Sequence, residues 1–141
     1  MKENVRVVIL AGGLGTRLKP YTTVFPKPLM PVGGRPILEI VIRQLQDQHF
    51  KEIVLSVGHL AELIEAYFLR AADMGLKVRI SYEREEEPLG TAGPLRRIPG
   101  LDQGTFLVLN GDLLVTGFDF RAFLESHKKS GAVLTIARFR R

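Results

Sequence analysis

Between residues 11 and 36 the chain carries five glycines (12, 13, 15, 33 and 34) and five prolines (20, 26, 28, 31 and 36). No α-helix can run through such a stretch, because proline removes a backbone donor and glycine leaves the backbone loose. It follows directly on residues 5–10, a short apolar and β-branched run broken only by Arg6. That run reads as a buried parallel strand. A long irregular segment leaving a buried strand in a compact chain is usually functional.

Beyond residue 36 the pattern alternates helix and strand. Residues 37–48 read as a helix with Ile37, Ile40, Val41 and Leu45 on one side, and Pro36 suits its entry. Residues 52–57 form a second strand. Leu60, Leu63, Ile64, Tyr67 and Phe68 mark an amphipathic helix that Gly75 is placed to stop. Residues 78–82 read as a third strand, followed by a loop over 83–90 and a short helix over 91–97. Residues 105–109 are a fourth strand. Phe120, Phe123, Leu124 and His127 mark a helix, and residues 132–137 read as a fifth strand.

Strands separated by helices predict an α/β fold, a Rossmann-like three-layer doubly wound sheet. The expected order is third, second, first, fourth, fifth. Such sheets take ligands beyond the carboxyl ends of their strands, in the crevice where the winding reverses. The first and fourth strands flank that crevice. The loops after them, residues 11–17 and 110–112, are the two most unusual in the chain.

With 141 residues, the chain predicts one domain, and 45% apolar residues give it a core. The absence of cysteine excludes a disulfide framework, a thiolate nucleophile and a thiolate metal site. A net charge of +5, with Arg138, Arg140 and Arg141 at the end, reads as a basic surface or as a preference for anionic ligands such as phosphates. Aromatics do not interleave with the basic residues, so no nucleic-acid partner is expected. The polar first four residues lack a signal-peptide core, and no apolar run approaches membrane-spanning length. A cytoplasmic protein with no membrane partner is the expectation.

The densest signal is Leu10-Ala11-Gly12-Gly13-Leu14-Gly15-Thr16-Arg17-Leu18. Glycines let backbone N–H groups approach phosphate oxygens, and Arg17 adds a planar cationic fork. A Walker A string is absent. Gly13-Leu14-Gly15-Thr16-Arg17-Leu18 is a weakened dinucleotide fingerprint, but Pro20 and Pro26 oppose the helix that fingerprint needs. Lys27 sits between Pro26 and Pro28, so its backbone is held extended. Its ammonium either sits on a polyproline-like surface turn or, aimed back at the glycine loop, could neutralise charge during phosphoryl transfer. His49, His59 and His127 are too scattered for a metal site, and the last two read as structural.

L-A-G-G-L-G-T-R-L followed by F-P-K-P-L-M-P-V-G-G-R-P-I-L-E resembles the signature of the sugar-phosphate nucleotidyltransferases, which include mannose-1-phosphate guanylyltransferases and glucose-1-phosphate thymidylyl- and uridylyltransferases. Glu85-Glu86-Glu87-Pro88-Leu89-Gly90-Thr91-Ala92-Gly93 and Asn110-Gly111-Asp112 are similar too, in the same order. The resemblance implies the nucleotide-diphospho-sugar transferase type of fold. It implies that Leu10, Ala11, Gly12 and Gly13, with Gly15 and Thr16, hold the nucleotide. Arg17 would contact the leaving pyrophosphate and Lys27 the reacting phosphates. Asp112 would bind Mg²⁺, a hard ion that takes oxygen ligands.

The loop carrying Glu85 and Gly90 matches the segment that reads the base. A glutamate accepts hydrogen bonds from N1–H and the amine of guanine, whereas a glutamine suits uracil or thymine. Glu85 therefore leans toward GTP, ahead of UTP or dTTP. The implied reaction is in-line displacement at the α-phosphorus by an oxygen of a sugar 1-phosphate.

Members of the family continue with a sugar-binding half and a second metal-binding aspartate, and neither occurs in residues 1–141. The chain is expected to be the nucleotide-binding N-terminal part of a nucleotidyltransferase domain, binding nucleotide with little turnover by itself. The fifth strand would be free to pair with another chain, as a homo-oligomer or with a separate C-terminal part. A non-catalytic nucleotide-binding or regulatory module is the alternative.

Overall fold

The computed structural model describes residues 4–138. Strand β1 (Arg6–Ala11) leads into three 3-10 turns, Thr16–Leu18, Tyr21–Thr23 and Lys27–Leu29. A small hairpin, β2 (Pro31–Val32) and β3 (Arg35–Pro36), precedes helix α1 (Ile37–Asp47). Then come β4 (Glu52–Val57), α2 (Ala61–Phe68), β5 (Arg79–Arg84), β6 (Leu107–Asn110) and α3 (Phe120–Ser130). The proline-rich stretch holds no α-helix, as its composition requires.

Four strands pair in parallel in the order β5-β4-β1-β6. This is the third-second-first-fourth order that the strand pattern predicts. Val8 is opposite Val54 on one side and Val108 on the other. Because β1 is central, both of its faces are covered, and Val7, Val8 and Ile9 are fully buried.

The two faces are covered unequally. Val7, Ile9 and Ala11 of β1, with Ile53, Leu55 and Val57 of β4, meet side chains of all three α-helices in one core. Leu38, Ile42 and Leu45 of α1, Ile64 and Phe68 of α2, and Phe120 and Leu124 of α3 complete it. Each of these Val, Leu, Ile and Phe side chains contributes about 1.5–3 kcal/mol by leaving water. On the opposite face Val8 and Val54 pack only with Ile98, Leu101 and their part-buried neighbours. These come from the 3-10 turns Gly93–Arg97 and Leu101–Gln103 and their surroundings. The three layers are therefore helices, sheet and a thin cover of short turns.

Polar contacts set the helix positions. Asp119 caps α3 by accepting from the Ala122 N–H at 2.8 Å, and Gly131, with φ 65°, ends it. Gln48, just past α1, donates to Phe118 O and accepts from Phe120 N–H, joining α1 to the entry of α3. Glu39 on α1 is buried, yet it accepts from Arg43 and from the Tyr67 hydroxyl of α2. Burial pushes the Glu39 carboxyl up, but the Tyr67 and Arg43 hydrogen bonds outweigh it and leave the group below its ordinary value. Burial and the Glu39 contact push the Tyr67 hydroxyl up to about 12.

Four expectations differ. Helix α2 stops at Phe68, and Gly75 instead closes a separate 3-10 turn over Ala71–Met74. Lys27 opens the 3-10 turn Lys27–Leu29 rather than lying in an extended backbone, which only Pro26 before it adopts. Residues 132–137 join no sheet: Val133, Leu134 and Ile136 are exposed. High β-propensity does not make a strand without a ladder partner, and propensity reads side chains rather than partners. Hydrogen bonds tie the segment to α3, one between His127 and Thr135 and one from Ala132 N–H to Ser130 Oγ. The short helix expected over 91–97 is a 3-10 turn confined to Gly93–Arg97, with Pro94 at its start. Boundaries also move slightly, the third strand reaching Arg84 and the fourth Asn110.

Candidate functional site

The carboxyl ends of β1 and β6 lie side by side, Leu10 opposite Asn110, and the loops beyond them diverge. The β6 loop turns at once. Gly111 N–H donates to Leu10 O at 2.9 Å. A Cβ at Gly111 would come within 3.2 Å of Ile9 Cγ2 and Leu10 O. Glycine allows the close approach and leaves Asp112 at the lip of the crevice.

The β1 loop is held from below. Gly15 has φ 60°, and a Cβ there would lie 2.7 Å from Thr22 Cγ2. The Thr22 hydroxyl donates to Gly15 O at 2.7 Å, and His59 Nε2 donates to Thr22 O at 2.7 Å. Thr22 is buried, so the loop rests on a satisfied polar contact rather than on water. Beyond its own chain neighbours, no described residue comes within 4 Å of a Cβ built at Gly13. The upper side of the loop thus faces open space.

That space is a cavity of about 460 Å³. Leu10, Ala11, Gly12, Gly13, Gly15, Thr16, Arg17, Lys27, Glu85, Gly90 and Asp112 all line it. Every residue singled out from the sequence is therefore brought to one place. Leu14, Leu18, Pro28, Pro88, Thr91, Pro94 and Asn110 complete the lining. They lie within or beside the same motifs: Leu14 and Leu18 in the glycine string, Pro28 after Lys27, Pro88, Thr91 and Pro94 around Gly90, and Asn110 before Gly111. That adjacency was the signal that could have found them.

Charges meet at the crevice. Lys27 Nζ is 2.6 Å from Asp112 Oδ2, with the two side chains 34% and 37% exposed. Arg17 is exposed on the glycine loop and enters none of the ion pairs among the described residues. Its guanidinium is available to an anion.

Glu85 lines the same cavity from the end of β5. Its N–H donates to Val57 O at 2.8 Å, extending the ladder one step past β5. Its carboxylate accepts from Ser56 Oγ at 3.0 Å and from Leu89 N–H at 3.2 Å. A Cβ at Gly12 would come 3.1 Å from Glu85 Oε1, so the glycine at 12 lets loop and carboxylate touch. Gly90, with φ 73°, turns the chain just beyond.

Among the described residues no three His, Asp or Glu side chains gather as a metal cage. No helix among them is long and apolar enough to cross a membrane.

An open parallel α/β sheet with this crevice is the architecture of nucleotide-diphospho-sugar transferases. HddC from Yersinia pseudotuberculosis, crystallised in complex with GMP-PN, superposes with a TM-score of 0.72 at 34% identity, over 87% of this chain and 54% of that one. The profile of the family described as Nucleotidyl transferase matches residues 6–141, and the chain belongs to that family. It is 39% identical over 135 residues to the mannose-1-phosphate guanyltransferase of Aspergillus fumigatus, covering 94% of this chain and 36% of that protein. It is 36% identical over 143 residues to the UTP–glucose-1-phosphate uridylyltransferase of Synechocystis, again over 94% of this chain and 36% of that protein. The chain thus spans about a third of the length of these curated relatives.

Proposed function

We propose that the chain is the nucleotide-binding part of an enzyme that transfers a nucleotidyl group from an NTP to a sugar 1-phosphate. The products are an NDP-sugar and pyrophosphate. GTP is the favoured nucleotide, with mannose 1-phosphate or a related sugar as acceptor, and UTP or dTTP come next. The observation that carries this reading is the shared cavity, in which a glycine loop, Arg17, Lys27, Asp112 and Glu85 face one another.

The chemistry follows from that arrangement. A phosphate oxygen of the sugar 1-phosphate, already anionic, bonds to the α-phosphorus. The bond from the α-phosphorus to the α–β bridging oxygen breaks, and its electron pair leaves with pyrophosphate. No strong general base is required, so catalysis rests on positioning and charge neutralisation. Backbone amides of Gly12, Gly13 and Gly15 hold phosphate oxygens. Arg17 and Lys27 neutralise charge on the leaving and reacting phosphates.

Mg²⁺ fits the residues present. It is usually bound through one or two carboxylates plus substrate phosphates rather than by a protein cage, and Asp112 is a part-exposed carboxylate at the lip of the cavity. Asp112 would hold the ion, which would supply further neutralisation of the phosphates when bound.

The guanine preference rests on Glu85, an acceptor on both oxygens. Among relatives both guanylyl and uridylyl transfer occur in the names, so base choice is the finer part of the proposal. A thermal-shift panel of GTP, UTP, dTTP, CTP and ATP with Mg²⁺ tests the nucleotide site, because a ligand of the native state raises the melting temperature. Equal, negligible shifts for all five would defeat it. Pyrophosphate release from GTP plus mannose 1-phosphate, in a longer chain that includes an acceptor-binding half, separates the transferase from a binding module that gives affinity without turnover.

A further inference from the structure

Ser56 is an anomaly in its strand. β4 reads Glu-Ile-Val-Leu-Ser-Val, and Ser56 is wholly buried among the apolar residues that follow Glu52. Ile53, Leu55 and Val57 face the helical core, whereas Val54 packs on the opposite face. By strand alternation Ser56 shares the Val54 side. It stands opposite Leu10 and Glu83, at the carboxyl end of the sheet, directly behind Glu85. Its hydroxyl donates to Glu85 Oε1 at 3.0 Å.

Resting on the nucleotide-site reading above, we infer that Ser56 is a positioning residue for base selection, acting by fixing the Glu85 carboxylate in the plane that reads guanine. Two donors grip that carboxylate, one per oxygen: Ser56 Oγ on Oε1 and Leu89 N–H on Oε2. A carboxylate has about four lone-pair sites. Each oxygen therefore keeps one acceptor position for a ligand. Two parallel acceptors are what the N1–H and exocyclic amine of guanine require. With the backbone N–H of Glu85 also bonded to Val57 O, the side chain is held from both ends. Without Ser56, Oε1 loses its anchor and the carboxylate rotates about the Leu89 contact.

The two grips are not equivalent. The Leu89 N–H can only donate, so it demands an oxygen. The Ser56 hydroxyl can donate or accept. A glutamine at 85 would thus keep its oxygen on Leu89 and turn its amide nitrogen toward Ser56. The same pair of anchors would then present one donor and one acceptor in a defined order. Ser56 thereby serves whichever base reader stands at position 85.

The test is calorimetric titration of the full chain with GTP and with ITP, which lacks the exocyclic amine, in the presence of Mg²⁺. The native chain is expected to prefer GTP by about tenfold or more, the worth of one hydrogen bond to a charged acceptor. Ser56→Ala should bring the two affinities to within about threefold of each other. In a Glu85→Ala background, Ser56→Ala should change the GTP-to-ITP ratio no further, a coupling that a merely structural serine would not show. If Ser56→Ala does not fold, Ser56→Cys, which keeps the size and weakens the donor, carries the same comparison. The inference is overturned if the variant keeps the native ratio, if it shifts the ratio equally with and without Glu85, or if the native chain binds GTP and ITP alike. A native chain that binds no triphosphate would instead sink the nucleotide-site reading, and this inference with it.

Discussion

Lys27 and Asp112, separated by 85 residues in sequence, close to 2.6 Å across the crevice. The lysine arrives on the 3-10 turn between two prolines, and the aspartate on the turn behind β6. Each is only about a third exposed. Each neutralises the other, and a triphosphate with a cation would give both a new partner.

Because the pair is part-exposed, its worth to folding is small, about 0–1 kcal/mol. Lys27→Met is therefore expected to leave the melting temperature nearly unchanged. It should weaken GTP binding about tenfold or more by removing a cation from the phosphate site. Differential scanning fluorimetry and titration calorimetry on one sample give both numbers. A large loss of stability with unchanged affinity would assign Lys27 to structure.

Glu85→Gln should move base preference from GTP toward UTP, because one acceptor becomes a donor while Ser56 and Leu89 still hold the group. Binding constants for GTP and UTP measured side by side read the change. A ratio unchanged within about twofold, against the tenfold that one such hydrogen bond is worth, would remove Glu85 from base reading.

Gly15→Ala combines a left-handed backbone with a Cβ 2.7 Å from Thr22 Cγ2. The expected cost is about 2 kcal/mol or more, measured by urea unfolding. Gly13→Ala meets no described residue within 4 Å beyond its own chain neighbours, so it should unfold like the native chain and yet bind triphosphate more weakly. The contrast between neighbouring glycines separates what the fold needs from what the ligand needs.

Glu39 makes stability depend on pH. Its carboxyl lies below the ordinary 4.5 in the folded chain, net of burial, through Tyr67 and Arg43. Its contribution is therefore fully present above about pH 4.5 and is lost as pH falls through the lower folded value. Glu39→Gln should cost about 1–3 kcal/mol at pH 7, and the gap to the native chain should narrow in acid. Urea midpoints at pH 7 and pH 4 check the sign.

Much of this was readable from the residues. Apolar runs marked the central strands, because parallel strands buried on both faces leave an uninterrupted signal, as at Val7, Val8 and Ile9. By contrast, β5 at the sheet edge showed by alternation, and the order came from doubly wound topology. The glycine and proline spacing marked the site loop, because few residue types tolerate that backbone. Side-chain partners were less visible. Nothing in the order of residues says that Lys27 meets Asp112 or that Ser56 meets Glu85, since both contacts are made by the sheet bringing distant loops together. A lone serine inside Glu-Ile-Val-Leu-Ser-Val was the trace of the second. Residues 132–137 misled for a related reason: β-branched character is local, whereas a strand is a relation between two segments.

The unequal dressing of the sheet has a dynamic consequence. Val8 and Val54 are roofed by short turns carrying Ile98 and Leu101, while the other face is clamped by three helices. Amide hydrogens of residues 93–103 should exchange with deuterium well before those of α1, as a separate low-energy opening. Pro94, at the cavity rim, belongs to that roof, and Thr91 lies two residues before its start at Gly93. That side of the cavity would then open more readily than the side formed by β1 and the helices behind it.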